Sequence, residues 1–231
     1  MKLERSRDPR YQAGQQAVAT LLRGGTPWKE KATVIGLTGA IASGKTTVAN
    51  HLGAKGAVLV DGDVISRELV EVGKPVYRAI LDEFGADLAG PGGELDRKKL
   101  GQLVFGNPDS LLKLNAITHP AIWKEMTRQV TAAALQAPVV VMVMPLLLEH
   151  QAEALVSQVW VTDIRDEVQL QRLMERDQSS REAALQRVQS QMLPSEKRVF
   201  ADVLIDNNGT LEATLAQVDA AWNSLGQTPP C

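Results

Sequence analysis

Gly39-Ala40-Ile41-Ala42-Ser43-Gly44-Lys45-Thr46 satisfies the pattern G-x-x-x-x-G-K-[ST] at every fixed position. The run before it, Thr33 to Thr38, is apolar and β-branched and predicts a buried strand. The run after it, Lys45 to Leu52, predicts a helix that Gly53 and Gly56 bring to an end. A second strand, Ala57 to Val60, then leads into Asp61-Gly62-Asp63. Strand, loop, helix and strand in this order make a parallel βαβ unit. Each fixed position of the loop has a physical reason. Gly39 and Gly44 let the backbone turn tightly and bring its N–H groups up to a phosphate. The helix that follows offers the positive end of its dipole to the same anion. Lys45 can reach the β- and γ-phosphates, and the Thr46 hydroxyl can ligate Mg²⁺. A glycine-rich turn before an ordinary helix is the alternative, and the strand on either side argues against it.

The rest of the chain extends this alternation. Val139 to Met144 is six consecutive apolar residues and predicts a central strand covered on both faces. Val159 to Thr162 and Val203 to Ile205 predict shorter strands. Residues 64 to about 136 predict mainly helix, Asp166 is placed to cap a helix reaching about Glu175, and Gln178 to Pro194 is polar and helix-prone. The expected fold class is α/β, a three-layer P-loop NTPase fold with a parallel central sheet, a helical acceptor-binding insertion and a lid. Residues 1–32 read as an extension of unassigned role, one short amphipathic helix and a linker, before a domain at 33–231. Within that domain the insertion falls at about 64–136 and the lid at about 176–198.

Composition removes several classes of function. A formal net charge of -2 over 231 residues gives no global basic field for nucleic acid or a membrane surface. The longest apolar run, Ala137 to Leu148, is broken by Pro138 and Pro145 and is too short to span a bilayer. The start, Met1-Lys2-Leu3-Glu4-Arg5, has no apolar stretch of the signal-peptide kind. One cysteine, Cys231, cannot form an internal disulfide and fits a reducing compartment. These features predict a cytoplasmic protein with no nucleic-acid or membrane partner; they do not fix the oligomeric state, and a monomer or small homo-oligomer is expected.

Among P-loop proteins, a GTPase switch needs N-K-x-D, and no Asn-Lys pair occurs. Two D-x-x-G matches, Asp82 to Gly85 and Asp87 to Gly90, do not directly follow a strong apolar strand. A transporter-type ATPase needs Leu-Ser-Gly-Gly-Gln, which is absent. A small-molecule kinase needs an acid near the acceptor hydroxyl, a cationic lid and an acceptor lobe. Asp61 and Asp63 supply the acids; if the extended backbone continues, both side chains leave on one face. Either can instead cap the helix that begins near Val64. Arg172, Arg176, Arg181, Arg187, Lys197 and Arg198 are the lid candidates. Arg172 and Arg176, four apart, share one helix face and could meet one phosphate, or form a solvated surface. His119 precedes Pro120 and can simply end a helix. Asn208 and Gly209 read first as a turn. Glu149 follows the central strand, where open α/β sheets place ligands.

From about Val34 to Gly209 the sequence resembles the dephospho-coenzyme A kinases. Gly36-Leu37-Thr38-Gly39 through Thr47 is similar to G-L-T-G-G-I-G-S-G-K-S-T, and Asp61-Gly62-Asp63-Val64-Ile65-Ser66-Arg67 to D-A-D-x-I-x-R. Gly73-Lys74-Pro75, Phe84-Gly85, Leu95-Asp96-Arg97, Leu100 and Phe105 follow in family order. Leu114-Asn115 with His119-Pro120, Pro145-Leu146-Leu147 with Glu149, Arg172 with Arg176-Asp177, and Asp206-Asn207-Asn208-Gly209 complete the series. Ala40 and Ala42 depart from the pattern, since the family usually has glycine there.

The resemblance implies transfer of the γ-phosphoryl group of ATP to the 3′-hydroxyl of dephospho-coenzyme A, with Mg²⁺. It implies a nucleotide site at Gly39, Ala40, Ile41, Ala42, Ser43, Gly44, Lys45, Thr46 and Thr47, with Arg176 and, beside the adenine, Asn208 and Gly209. Asp63, the second acid of D-x-D, becomes the catalytic acid, alongside Lys45 and Arg172. Asp63, Arg67, His119, Leu147 and Glu149 become acceptor-binding residues, and Asp61 holds Mg²⁺ through water. The alternatives are another P-loop small-molecule kinase, acting on a nucleotide, nucleoside or sugar acid, and a nucleotide-dependent regulatory switch.

Overall fold

The structure, a computed structural model, describes residues 8–105 and 107–225. The charged start and Cys231 lie outside the described residues. Two compact units divide the chain. One, the sheet unit, holds residues 26–60 and the chain from Val130 onward; the other, the helical unit, holds the chain up to Gly25 and residues 61–129.

Five strands build the sheet: β1 (Thr33–Gly39), β2 (Val58–Asp61), β3 (Val139–Val143), β4 (Gln158–Asp163) and β5 (Val203–Asp206). Their order is β2-β3-β1-β4-β5. β1 pairs in parallel with β3 and with β4, and β4 with β5. The sheet is central and parallel, as the alternation of strands and helices predicts. β1 alternates its two faces. Ile35 and Leu37 join Val141, Val143 and Trp160 in a core completed by Val48 and Leu52 of α2 (Lys45–Ala54) and by Val218 of the C-terminal helix, Leu211–Leu225. Gly36 faces the other way, where a Cβ would lie 3.0 Å from Leu147 and Val156 side chains. The register sets Gly39 beside Thr162 and Asp163 beside Asp206, so β1, β4 and β5 end at one edge. β1 sends its chain to β2 on one side while β3 sends its chain to β4 on the other. Ligands of open parallel sheets bind at such a reversal.

Residues 8–32 are more ordered than a linker. α1 (Gln12–Arg23) forms as the amphipathic pattern predicts, but residues 27–30 form a 3₁₀ turn rather than open chain. Trp28 is buried and its indole N–H donates to the Leu155 carbonyl at 2.9 Å, which ties this segment into the sheet unit.

The helical unit has α3 (Gly62–Glu68), α4 (Pro75–Phe84), α5 (Arg97–Phe105) and much of α6 (Pro108–Ala134). Val76, Tyr77, Ile80, Leu88, Leu100 and Val104 form its core, with Leu114, Ile117 and Ala121 packed against them. α1 is fastened here, since the Asn115 amide donates to the Arg10 carbonyl at 2.9 Å. α6 corrects one expectation. His119 does not end a helix; the helix runs through Pro120 to Ala134. Proline removes the bond to the Ala116 carbonyl, a local cost of about 3 kcal/mol. Apolar residues on both sides of it, Ile117 and Ala121 in this core and Trp123 and Met126 fully buried, hold the helix together across the break.

Candidate active site

The phosphate loop lies between the end of β1 and the start of α2. Gly44 caps α2 in the left-handed region, φ 91°, and Gly39 has φ 154°. Both also lack space for a side chain. A Cβ on Gly39 would collide with the Thr162 hydroxyl, and a Cβ on Gly44 with the Asn207 amide. These neighbours hold the loop. Ser43 and Thr162 hydroxyls lie 2.6 Å apart, and the Thr162 hydroxyl donates to the Thr38 carbonyl. The Asn207 amide donates to the Ser43 carbonyl at 2.8 Å while its oxygen accepts from the Thr214 hydroxyl at 2.9 Å. The Lys45 ammonium donates to the Gly39 and Ala40 carbonyls, 2.9 Å each, so its charge sits on the loop. Thr46 and Thr47 are exposed in the first turn of α2. Ala42, where the family pattern has glycine, takes φ 61°, a left-handed conformation that alanine adopts at a cost of about 1–2 kcal/mol.

The phosphate-loop motif names neither Thr162 nor Asn207. Asn207 is the fixed asparagine of the D-N-x-G match, yet sequence reasoning points instead to its neighbour, Asn208. Asn208 forms the turn: its side-chain oxygen accepts from the Arg165 amide at 2.8 Å, and Asp206 accepts from its backbone N–H at 2.9 Å. Those contacts hold the Asp206 carboxyl below its usual range. Asn207→Ala removes the donor to the Ser43 carbonyl in the buried loop anchor, while the Thr214 hydroxyl keeps the Thr210 carbonyl as an acceptor. The substitution is expected to lower stability by about 1–3 kcal/mol in urea unfolding, and no shift would mean the loop does not depend on this anchor.

The cationic segment after β4 is a helical hairpin, α7 (Asp166–Asp177) and α8 (Arg181–Gln189), followed by α9 (Pro194–Arg198). Leu170, Leu173 and Ala184 pack against Ile41 and Ala42, so the hairpin rests on the loop. Asp166 is the first residue of α7 rather than its cap; Arg165 caps the helix without a side-chain bond. Arg176 and Arg187 both pair with Asp177, which ties the two helices and holds the Asp177 carboxyl below its usual range. Arg198 pairs with Asp163 at 2.7 Å. Arg172 is half-buried and has no ion-pair partner among the described residues.

Lys197 is no lid cation. It and Glu149 are both 0% exposed at the side chain and bond at 2.7 and 2.8 Å. Lys197 also donates to the Pro145 carbonyl, and Glu149 accepts from the Met192 amide at 3.0 Å. Two buried charges need this degree of pairing to persist. Leu147 is fully buried over Gly36. Leu147 and Glu149, expected at the acceptor, thus have their side chains committed to the interior of the sheet unit, which the P-L-L-x-E pattern alone does not reveal.

Asp61, Asp63, Arg67 and His119 belong to the helical unit. The extended backbone ends at Asp61, because α3 begins at Gly62. Asp61 caps α3, accepting from the Asp63 and Val64 amides at 2.7 and 3.3 Å. Asp63 is exposed in the first helical turn, so the two acids do not leave one strand face together. Arg67 is exposed in the last turn of α3, and its carbonyl accepts from Arg97 at 3.2 Å. His119 is buried, and burial pushes its imidazole down to about 4, so it is uncharged at neutral pH.

A parallel sheet with a glycine-hinged loop, a lysine folded onto that loop and a cationic helical hairpin resting on it defines a P-loop kinase. The family model for dephospho-CoA kinase matches residues 33–213. A dephospho-CoA kinase of Geobacter metallireducens is 47% identical over 198 residues, covering 85% of this chain and 98% of the relative. One of Carboxydothermus hydrogenoformans is 43% identical, covering 80% and 90%. A crystal structure of a Thermus thermophilus protein superposes with a TM-score of 0.67 at 32% identity, covering 86% of this chain and 98% of that one. The chain belongs to the dephospho-CoA kinase family.

Proposed function

We propose that the chain transfers the γ-phosphoryl group of ATP to the 3′-hydroxyl of dephospho-coenzyme A, giving coenzyme A and ADP. The observation that carries this reading is the family match across residues 33–213, on a chain whose phosphate loop is structurally complete. Phosphoryl transfer asks a protein for alignment and charge neutralisation, with little covalent chemistry of its own. The loop amides and Lys45 bind the β- and γ-phosphates. Arg172 neutralises charge that builds on the transferring group, and the hairpin excludes water that would otherwise hydrolyse ATP. Asp63 accepts or orients the proton of the attacking hydroxyl. Arg67 and His119 contact the acceptor, His119 as a neutral hydrogen-bonding group. Asn208 and Gly209 flank the adenine. The Thr46 hydroxyl offers one hard oxygen donor, which fits a Mg²⁺ that takes most of its shell from phosphates and water; Asp61 is the acid that would hold it through water. When bound, Mg²⁺ neutralises phosphate charge.

ADP release measured with a panel of acceptors tests the reading. Acceleration by dephospho-coenzyme A, and not by nucleotides, nucleosides or sugar acids, is the expected result. Acceleration by another member of the panel would reassign the acceptor, and nucleotide binding with no acceptor-dependent turnover would make the chain a switch.

A further inference from the structure

The phosphate loop contains a turn whose sequence does not favour it. The Ser43 N–H donates to the Ala40 carbonyl at 3.2 Å, which closes a four-residue turn over Ile41 and Ala42. Ala42, the third residue, has φ 61°, whereas Ile41 is not among the residues of positive φ. This is the type II arrangement, which asks for glycine at its third position. Its type I counterpart differs by a flip of the central peptide, between Ile41 and Ala42, and suits alanine better. The flip would exchange the directions of the Ile41 carbonyl and the Ala42 N–H, because a trans peptide holds the two antiparallel.

Both groups of Ile41 are held from outside the loop. Its carbonyl accepts from the Gln169 side-chain amide on α7 at 3.0 Å. Its N–H donates to the Gln191 side-chain oxygen, in the segment after α8, at 3.1 Å. Gln169 is 1% exposed and so cannot itself touch a nucleotide. Its oxygen has no hydrogen-bond partner among the described residues, so the contact to Ile41 is the bond its side chain makes there. A side-chain amide kept in an apolar setting for one bond calls for an explanation beyond packing.

We propose that Gln169 is a positioning residue for the phosphate donor: it holds the Ile41–Ala42 peptide in the orientation that aims the Ala42 N–H away from α7, to the face where the loop presents its amides to a phosphate. Gln191 supports it by fixing the preceding peptide. In a loop with glycine at position 42 either turn is accessible; with alanine the productive one is strained, and the hydrogen bond from α7 supplies the bias. This rests on the nucleotide-binding reading above.

A double-mutant cycle tests it. ADP affinity is measured by calorimetry for the unaltered chain, Gln169→Leu, Ala42→Gly and the double variant, with turnover of dephospho-coenzyme A in parallel. Gln169→Leu is expected to weaken ADP binding about tenfold, the population factor that separates left-handed from right-handed alanine. In the Ala42→Gly background the same substitution should cost only about twofold, because glycine takes positive φ without strain. Gln169→Glu, which keeps the shape but turns the donor into an acceptor facing the Ile41 carbonyl, provides a second variant, and thermal melts report whether each is folded. An equal loss in both backgrounds would make Gln169 a packing residue and overturn the proposal, as would unchanged affinity in folded Gln169→Leu and Gln169→Glu. An unaltered chain that binds ADP but leaves dephospho-coenzyme A unphosphorylated would refute the functional reading and leave the cycle decisive for Gln169. A chain that binds no nucleotide would overturn both.

Discussion

Asp63→Asn is expected to lower kcat by roughly 10²–10⁴, the usual worth of a general base, while ADP affinity stays within a few-fold. Asparagine keeps the size and hydrogen-bonding capacity of the side chain but cannot take a proton. The structure separates the two acids of Asp61-Gly62-Asp63 by what each already does. Asp61 caps α3 through the Asp63 and Val64 amides, a task that asparagine performs about as well. Asp63 is exposed in the first turn of that helix. Asp61→Asn should therefore leave stability intact and lower turnover less than Asp63→Asn, and the contrast between the two variants assigns the base. If Asp61→Asn abolishes turnover and Asp63→Asn does not, the roles are reversed. If both lose nucleotide binding together, the pair serves a metal or the fold, and the base lies elsewhere.

Lys45→Ala is expected to lower turnover by at least ~100-fold, the scale of one preorganised transition-state contact. The Lys45 ammonium rests on the Gly39 and Ala40 carbonyls, so its position is set by the loop before any phosphate is considered. Alanine removes the charge but leaves α2 with a better helix former at its first position. Circular dichroism and melting should show an intact fold. Near-normal turnover by a folded Lys45→Ala variant would remove the loop from the chemistry.

The parts of this account that were legible in the sequence are those carried by local pattern. The run Val139 to Met144 reads best as a covered central strand, and Val139–Val143 is the strand between β2 and β1. The glycines of the loop announced its backbone. Their second reason, the close approach of Thr162 and Asn207, could not be read, because it depends on strand register and on residues more than a hundred positions away. The same holds for Glu149 and Lys197, which look like a site acid and a lid cation until burial makes them each other's partner. His119-Pro120 misled for the opposite reason. The local rule against helix before proline is sound, but the packing of Ile117, Ala121, Trp123 and Met126 outweighs it. For Asp61 and Asp63 the sequence leaves two arrangements open, one strand face or a helix cap, and the structure takes the second, with Asp61 capping α3.

The product identifies the reaction. Incubated with ATP, Mg²⁺ and dephospho-coenzyme A, the chain should form coenzyme A and ADP in equal amounts, with the new phosphate on the ribose 3′-hydroxyl by ³¹P and ¹H NMR. ADP formed at the same rate with and without dephospho-coenzyme A, or a phosphate found at any other hydroxyl, would contradict it.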